Sequence, residues 1–147
     1  MKLLVSRCLL GEPCRYDGRS VPSEGVLQLR EEGHTLISVC PEVEGGLSTP
    51  RPPAECRPDG RVVNREGQDV TAQYRAGAEI ALERASCEGC SAAILKAKSP
   101  SCGNERIYDG TFSRTLIPGQ GIAARLLTEA GIPVFNEEQL DRLKELK

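Results

Sequence analysis

Strand and helix patterns alternate along this 147-residue chain, and this alternation restricts its possible folds more than any other feature. Short apolar runs predict four strands: KLLVS (2–6), TLISV (35–39), SAAILKA (91–97) and IPVF (132–135). Apolar residues at helical spacing predict helices between these strands. This order is typical of an α/β fold with an open parallel sheet flanked by helices. The length predicts a single domain over residues 1–147.

Capping and stop signals give the approximate bounds of the helices. Ser23 is the predicted cap of a helix over 24–32, which ends at Gly33, and Asp69 or Thr71 is the predicted cap of a long helix that reaches residue 86. Gly131 ends a predicted helix over 122–130, and Asn136 is the predicted cap of a final helix.

Two segments interrupt the alternation. Residues 41–68 are rich in Pro, Gly and Arg, and a loop of this length in a compact domain is usually functional. Residues 98–118 contain IYDGTF, in which Asp-Gly predicts a hairpin turn. The triplet Tyr-Asp-Gly also occurs at 16–18. Both triplets are expected at the same edge of the sheet.

Composition argues against several classes of partner. The formal charge of −2 gives no electrostatic reason to bind a nucleic acid polymer or a membrane surface, and aromatic residues make up only 3% of the chain. The start MKLLVSRCLLG is short and interrupted by Arg7, so we expect no signal peptide. A cytoplasmic protein with a small-molecule partner is therefore expected.

Seven cysteines need an explanation. Their number is odd and no export signal is recognised, which disfavours a disulfide framework. A single histidine, His34, excludes the usual His-rich zinc sites. Inert buried thiols, metal ligands and reactive thiols remain as alternatives.

Three of the cysteines lie just beyond predicted strands. Cys8 follows KLLVS, Cys40 follows TLISV, and Cys102 follows SAAILKA by a few residues. Because the carboxyl ends of parallel strands share one edge, these thiols are expected to converge there. Three soft ligands at one point indicate a metal or iron–sulfur centre with a position left open for chemistry.

The contexts of these cysteines are CLLGEPCRYDG (8–18), CPEVEGGLSTPRPPAE (40–55) and SPSCG (99–103), followed by YDGTFSRTLIPGQG. Together they resemble, nearly end to end, a bacterial and archaeal family long labelled a domain of unknown function, whose characterised member is a thiouracil desulfidase. The resemblance implies a Rossmann-like fold. It also implies that Cys8, Cys40 and Cys102 hold a [4Fe-4S] cluster in which one iron has no protein ligand.

The same resemblance implies a reaction. An iron without a thiolate is a soft Lewis acid that should bind a thiocarbonyl sulfur. Water would then attack the carbon, and non-redox hydrolysis of the C=S bond of a thiolated nucleobase such as thiouracil would release hydrogen sulfide.

Catalysis by water needs a base, and Glu42, two residues after Cys40, is the best-placed carboxylate. Its alternative role is to cap loop amides. Ser99 and Ser101 beside Cys102 could relay a proton or bind a pyrimidine ring, or could simply form a turn around Pro100.

Substrate binding is predicted for three residues of the 41–68 segment. Arg51 could bind an anionic oxygen or a phosphate, or could instead be a structural bridge. Gly45 and Gly46 would let backbone amides approach a ligand closely.

The other cysteines are expected to stay apart from the cluster. Cys87 and Cys90 have the CxxC spacing of zinc and redox sites, but they lie at the opposite edge of the predicted sheet. Cys14 and Cys56 would close the open iron if they reached it, and neither is expected to do so.

Two alternatives remain open at this point. One is a cluster enzyme that acts on another thiocarbonyl compound or in sulfide trafficking. The other is a cysteine-rich zinc-binding module with a structural or interaction role.

Overall fold

The computed structural model describes residues 1–143 and 145. Its elements, in chain order, are β1 (Lys2–Ser6), a 3-10 helix (Arg7–Leu10), α1 (Glu24–Glu31), β2 (Thr35–Val39), α2 (Pro41–Glu44), β3 (Ala54–Cys56), β4 (Val62–Asn64), α3 (Thr71–Glu88), β5 (Ala92–Leu95), β6 (Arg106–Tyr108), β7 (Leu116–Pro118), α4 (Ile122–Glu129), β8 (Val134–Asn136) and α5 (Leu140–Leu143).

The central sheet has four strands in the order β2-β1-β5-β8. Every pair in it is parallel, with Lys2 opposite Thr35, Leu3 opposite Ala92, and Ala93 opposite Val134. The chain moves outward from β1 to β2 and then returns to place β5 on the other side of β1. Such a reversal is where open α/β sheets bind ligands, outside the carboxyl ends of the strands. The predicted open parallel α/β sheet is confirmed.

Helices cover both faces of this sheet. On one face, Leu3, Val5 and Ile94 pack in a buried cluster with Val26 and Leu29 of α1. On the other, Leu4, Ala93 and Leu95 pack with residues of α3 and α4, including Ala81, Ala85 and Leu127. Strands buried on both faces read as continuous apolar runs, which explains why β1 and β5 could be recognised in the sequence.

The helices follow the predicted signals with two exceptions. The N-cap of α3 is Val70 rather than Asp69 or Thr71, and the Asp69 side chain instead accepts from the Thr71 amide (2.9 Å). Ser23 caps α1 by accepting a hydrogen bond from the Val26 amide (3.3 Å), as expected of an N-cap serine. Asn136, predicted to begin the final helix, is instead the last residue of β8. Its side chain accepts from the Glu138 amide (2.8 Å), and α5 begins only at Leu140. The Asn136 side chain therefore caps a turn that precedes the helix.

Both irregular segments contain secondary structure. The segment 41–68 holds the short helix α2 and an antiparallel hairpin of β3 and β4. In 98–118, β6 and β7 form the predicted hairpin, but its connection spans residues 109–115 rather than a two-residue turn. No helix among residues 1–143 and 145 is long and apolar enough to cross a membrane.

Candidate active site

A cavity of about 520 Å³ lies at the carboxyl edge of the central sheet. Its walls come from the turns after β1, β2 and β5 and from both irregular segments. The cavity thus occupies the position at which the topology predicts a ligand.

The three strand-end cysteines meet in this cavity. Cys8 lies in the 3-10 helix after β1, Cys40 directly follows β2 at the start of α2, and Cys102 lies in the loop after β5. All three line the cavity and are at least 92% buried, with exposures of 7%, 8% and 5%. The sheet therefore brings together thiols that are far apart in the sequence.

Helix α4 fixes the loop that carries Cys102. The amide of Ile122 donates to the Pro100 carbonyl (3.0 Å), and the amides of Ala123 and Ala124 donate to the Ser101 carbonyl (2.9 and 3.0 Å). Gly121 lies so close to this loop that a Cβ there would overlap the backbone of Ser101. The free amides at the start of α4 are thus used to position the Cys102 loop.

Burial contributes to a raised pKa in two of these thiols, Cys40 and Cys102. It raises the pKa of Cys102 to about 12, against the opposing effect of hydrogen bonds with Ser101 and Ser6. A hydrogen bond with Cys14 and then burial raise the pKa of Cys40. Because metal binding requires thiolates, loading of this site must release protons.

A fourth cysteine, Cys14, lies in the same cavity. It is 8% exposed, and its carbonyl lies 3.8 Å from Cys40 Sγ. A hydrogen bond with Cys40 lowers its pKa, but a hydrogen bond with Cys8 and burial outweigh this and raise the pKa to about 11. The thiol of Cys14 thus lies beside two of the three predicted ligands, contrary to the expectation that it stays apart from them.

The remaining cysteines lie elsewhere. Cys56 contacts the Pro100 carbonyl (3.5 Å) and is not among the residues that line the cavity. Cys87 is exposed at the end of α3, and Cys90 lies two residues before β5, at the amino edge of the sheet. All seven cysteines are free thiols.

The Glu42 carboxylate accepts four side-chain hydrogen bonds in the site. Its Oε1 accepts from Tyr74 Oη (2.9 Å) and Arg51 Nε (3.1 Å). Its Oε2 accepts from Ser99 Oγ (3.2 Å) and Ser101 Oγ (3.0 Å). One oxygen therefore faces buried structural donors, while the other faces two hydroxyls in the cavity wall.

The serines connect this carboxylate with a cysteine. Ser99 and Ser101 lie 3.0 Å apart through their hydroxyls, and Ser101 Oγ is 3.4 Å from Cys102 Sγ. Ser99 Oγ also accepts from the amides of Ser101 and Cys102, at 3.2 Å each. The turn around Pro100 and the contact with Glu42 are thus both present in one network.

Arg51 lines the cavity, but its guanidinium is occupied by protein atoms. Besides Glu42, it donates to the carbonyls of Ser48 and Cys14 (3.0 Å each) and to Thr49 Oγ1 (3.1 Å). Its side chain is 6% exposed. These contacts favour the structural-bridge alternative, and substrate binding by Arg51 stays a prediction.

Gly45 and Gly46 are not among the residues that line the cavity. Gly45 instead packs against α3, where a Cβ would overlap the carbonyl of Gln73. A small residue is needed there for helix packing. The structure thus gives the predicted substrate contact of these glycines no support.

Sequence reasoning missed several groups of the cavity wall. Tyr74 lies on the buried side of α3, and its hydroxyl reaches Glu42 (2.9 Å). Ser6, Glu55 and Phe112 also line the cavity. No local signal marks these residues, because their contribution depends on contacts between distant elements.

Residues 1–143 and 145 contain no group of three or more His, Cys, Asp or Glu side chains placed to hold a single metal ion. A cluster spreads its ligands over several irons, so its cysteines need not converge on one point.

Comparisons with known proteins bear directly on this cavity. A family model described as 2-thiouracil desulfurase matches residues 3–139, which include all the cavity cysteines. The uncharacterized protein YbbK of Bacillus subtilis (strain 168) is 43% identical over 148 residues, covering 95% of this chain and 97% of that protein. The solved structure of TudS, a [4Fe-4S]-dependent thiouracil desulfidase, has 48% sequence identity and a TM-score of 0.90, covering 97% of this chain and 95% of that one.

Proposed function

This chain belongs to the 2-thiouracil desulfurase family, and we propose that it is a [4Fe-4S]-dependent enzyme that removes sulfur from a thiolated nucleobase such as thiouracil. The observation that carries the proposal is the meeting of three strand-end cysteines with the Glu42–serine network in one cavity. The similarity to TudS supports the same cofactor and substrate class.

The donor set fits an iron–sulfur cluster. Cys8, Cys40 and Cys102 supply three soft sulfur donors, each located after a different parallel strand, and thiolates are the usual ligands of such clusters. In this assignment the three thiolates hold the cluster and one iron has no protein ligand. When bound, the cluster supplies a soft Lewis acid for the sulfur of the substrate.

Glu42 is the proposed general base. Tyr74 and Arg51 hold Oε1, so Oε2 is the oxygen that can take a proton from an attacking water. Burial and then the charge of Glu42 raise the pKa of Tyr74 well above its usual value, so this phenol remains a hydrogen-bond donor. Ser99 and Ser101, which donate to Oε2, orient the water or pass its proton to the carboxylate.

The overall reaction balances without an oxidant or a reductant. Water adds to the thiocarbonyl carbon and loses one proton to Glu42 and one to the departing sulfur. The C–S bond breaks, the carbon becomes a carbonyl carbon, and the sulfur leaves as sulfide. With the proton returned from Glu42, the products are the oxygen analogue of the base and hydrogen sulfide.

The first experiment is anaerobic reconstitution with iron and sulfide, followed by removal of excess sulfide and incubation with 2-thiouracil or 4-thiouracil. We expect sulfide release that depends on the cluster and matches, mole for mole, the uracil formed. The cluster-free protein is the control. A loaded cluster with no sulfide release from either compound would contradict the proposed substrate. Failure to bind iron would contradict the cofactor assignment.

A further inference from the structure

Three non-glycine residues, Lys98, Phe112 and Arg114, have left-handed backbone conformations in the described part of the chain, with φ of 70°, 57° and 62°. All three line the cavity. Such conformations are unfavourable for L-residues and concentrate at ligand sites, where surrounding structure enforces them. Two of the three lie in the connection between β6 and β7, which we call the 109–115 loop.

A buried carboxylate holds this loop in place. Glu55 of β3 is 9% exposed, and its Oε1 accepts hydrogen bonds from the amides of Gly110 (3.0 Å) and Phe112 (3.1 Å). Gly110 also lies close to the Cys56 carbonyl, where a Cβ would be only 2.9 Å away. Hydrogen bonds from Gly110 and Phe112 therefore hold the loop against β3.

Phe112 lines the cavity without belonging to the hydrophobic core. It is absent from the three buried clusters of the described residues. The guanidinium of Arg65 lies over the ring, 5.5 Å from its centroid. Phe112 thus contributes an aromatic ring to the cavity wall, with Arg65 over one face of the ring, on a backbone that a glycine would adopt more easily.

The aromatic residues of the chain are concentrated around this cavity. The chain has only five, three tyrosines and two phenylalanines. Four of them, Tyr16, Tyr74, Tyr108 and Phe112, line this cavity. Tyr74 is hydrogen-bonded to Glu42, whereas Phe112 has no polar group and can contribute only the surface of its ring.

We propose that the 109–115 loop is the specificity wall of the cavity, in which Phe112 stacks on the flat ring of the substrate and Glu55 positions Phe112. This inference deepens the proposed function and rests on it for the identity of the substrate. In this proposal Phe112 recognises the ring of the substrate, whereas Glu42, Ser99 and Ser101 take part in cleavage of the C–S bond.

The test compares Phe112→Leu with Phe112→Tyr in the cluster-loaded protein. Both substitutions place an L-residue at the same strained backbone position, but only tyrosine keeps a flat ring. The dissociation constant of uracil, which lacks the sulfur, is measured by calorimetry, and kcat and KM are measured with 2-thiouracil. Since stacking of one base on an aromatic side chain is worth about 1–3 kcal/mol, Phe112→Leu should weaken uracil binding about tenfold.

In Phe112→Leu the KM for 2-thiouracil should rise about tenfold and kcat should change little, because stacking contributes equally to ground-state and transition-state binding. Phe112→Tyr should bind uracil within about twofold of wild type, given that a ring is retained. Phe135→Leu is the control for general loss of packing, because Phe135, the other phenylalanine of the chain, packs against a core cluster. Iron content and melting temperature establish that each variant is folded.

Glu55→Ala tests the positioning role. It should weaken uracil binding to a similar extent, and the double variant with Phe112→Leu should be little worse than either single one. Unchanged uracil affinity in Phe112→Leu, equal losses in Phe112→Leu and Phe112→Tyr, or full additivity in the double variant would overturn the proposal. If the wild-type protein binds uracil but releases no sulfide from 2-thiouracil, the proposed function is refuted. The role of Phe112 can then still be tested by the uracil affinities of the variants.

Discussion

At the scale of single residues, the two oxygens of Glu42 have different partners. Buried donors occupy Oε1 and hydroxyls of the cavity wall occupy Oε2. Since Arg51 is bound to the carbonyls around it as well, the carboxylate cannot rotate without breaking several hydrogen bonds. Such fixation is what a general base needs, because proton transfer depends on orientation.

Replacing Glu42 by Gln should lower kcat by about 10²–10⁴-fold, because an amide cannot accept the proton from water. Tyr74→Phe should lower kcat by about tenfold, since it removes one hydrogen bond of roughly 1–1.5 kcal/mol that orients the base. Both variants should keep wild-type iron content. Turnover of Glu42→Gln close to that of wild type would show that Glu42 is not the base.

Replacing Cys8, Cys40 or Cys102 singly by Ala should abolish retention of the cluster after reconstitution. Each variant removes one of three thiolates, and two cannot hold the cluster in place. The measurement is iron and sulfide per chain after desalting without oxygen. Cys87→Ala, at the far edge of the sheet, is the matched control and should load fully. A fully loaded Cys40→Ala protein, or loss of iron from Cys87→Ala, would contradict the assignment.

Local sequence was enough to place the cysteines but not the groups around Glu42. Cys8 and Cys40 lie within two residues of the ends of recognisable strands, so the topology of a parallel sheet predicts their convergence. Tyr74 of α3, which donates to Glu42, is 32 residues away in the sequence. It lies on an apolar stripe of its helix, and a tyrosine in such a position is normally interpreted as a core residue. Contacts of this kind depend on tertiary packing and leave no mark in the spacing of residues.

At the scale of elements, the contact between α2 and α3 sets the position of Cys40 and Glu42. Gly77 of α3 lies against Pro41, and a Cβ at Gly77 would overlap the Pro41 carbonyl. On the facing side, Gly45 makes an equally close approach to α3. Two glycines thus let the short helix that begins beside Cys40 pack directly on the backbone of the longest helix.

Gly77→Ala should destabilise the protein by about 1–3 kcal/mol, although alanine favours helices over glycine by about 1 kcal/mol. The overlap with Pro41 forces α2 to shift, and we expect lower iron retention as well. Chemical denaturation and iron analysis measure the two effects. Ala76→Ser, one residue earlier on the exposed side of α3, is the control and should change neither by much. A more stable Gly77→Ala protein would contradict this account of the contact.

Elements could be predicted where their patterns were long or fully apolar. The strands β1, β2 and β5 and the helices α1, α3 and α4 fall in the predicted regions. The strands β3 and β4 have three residues each, too few for a period-two pattern to be recognised. Asn136 is a suitable cap in sequence, but pairing of Val134–Asn136 with β5 takes precedence over helix initiation.

At the scale of the whole molecule, the site belongs to no single element. Each predicted ligand follows a different strand, and the cavity also includes residues of both irregular segments. The unfolded chain holds these thiols far apart. A cofactor that binds only when they are together must therefore stabilise the native state.

Loading of the cluster should raise the melting temperature by several degrees. A ligand at 100 times its dissociation constant adds about 2.7 kcal/mol, and a domain of this size gains roughly 2–4 °C per kcal/mol. Thermal unfolding of reconstituted and cluster-free protein, both without oxygen, measures the shift. Cys40→Ala treated in the same way should show none. Equal melting temperatures for the loaded and empty wild-type protein would contradict coupling of the site to the fold.

The support of the Cys102 loop by α4 has a consequence for the biosynthesis of the protein. Ribosomes deliver Cys8 and Cys40 early, but the amides of Ile122, Ala123 and Ala124 that hold the third cysteine's loop are made after it. Until those residues have left the ribosome and folded, the three thiols have no common scaffold. We therefore expect insertion of the proposed cluster to be a late event that follows synthesis of most of the chain.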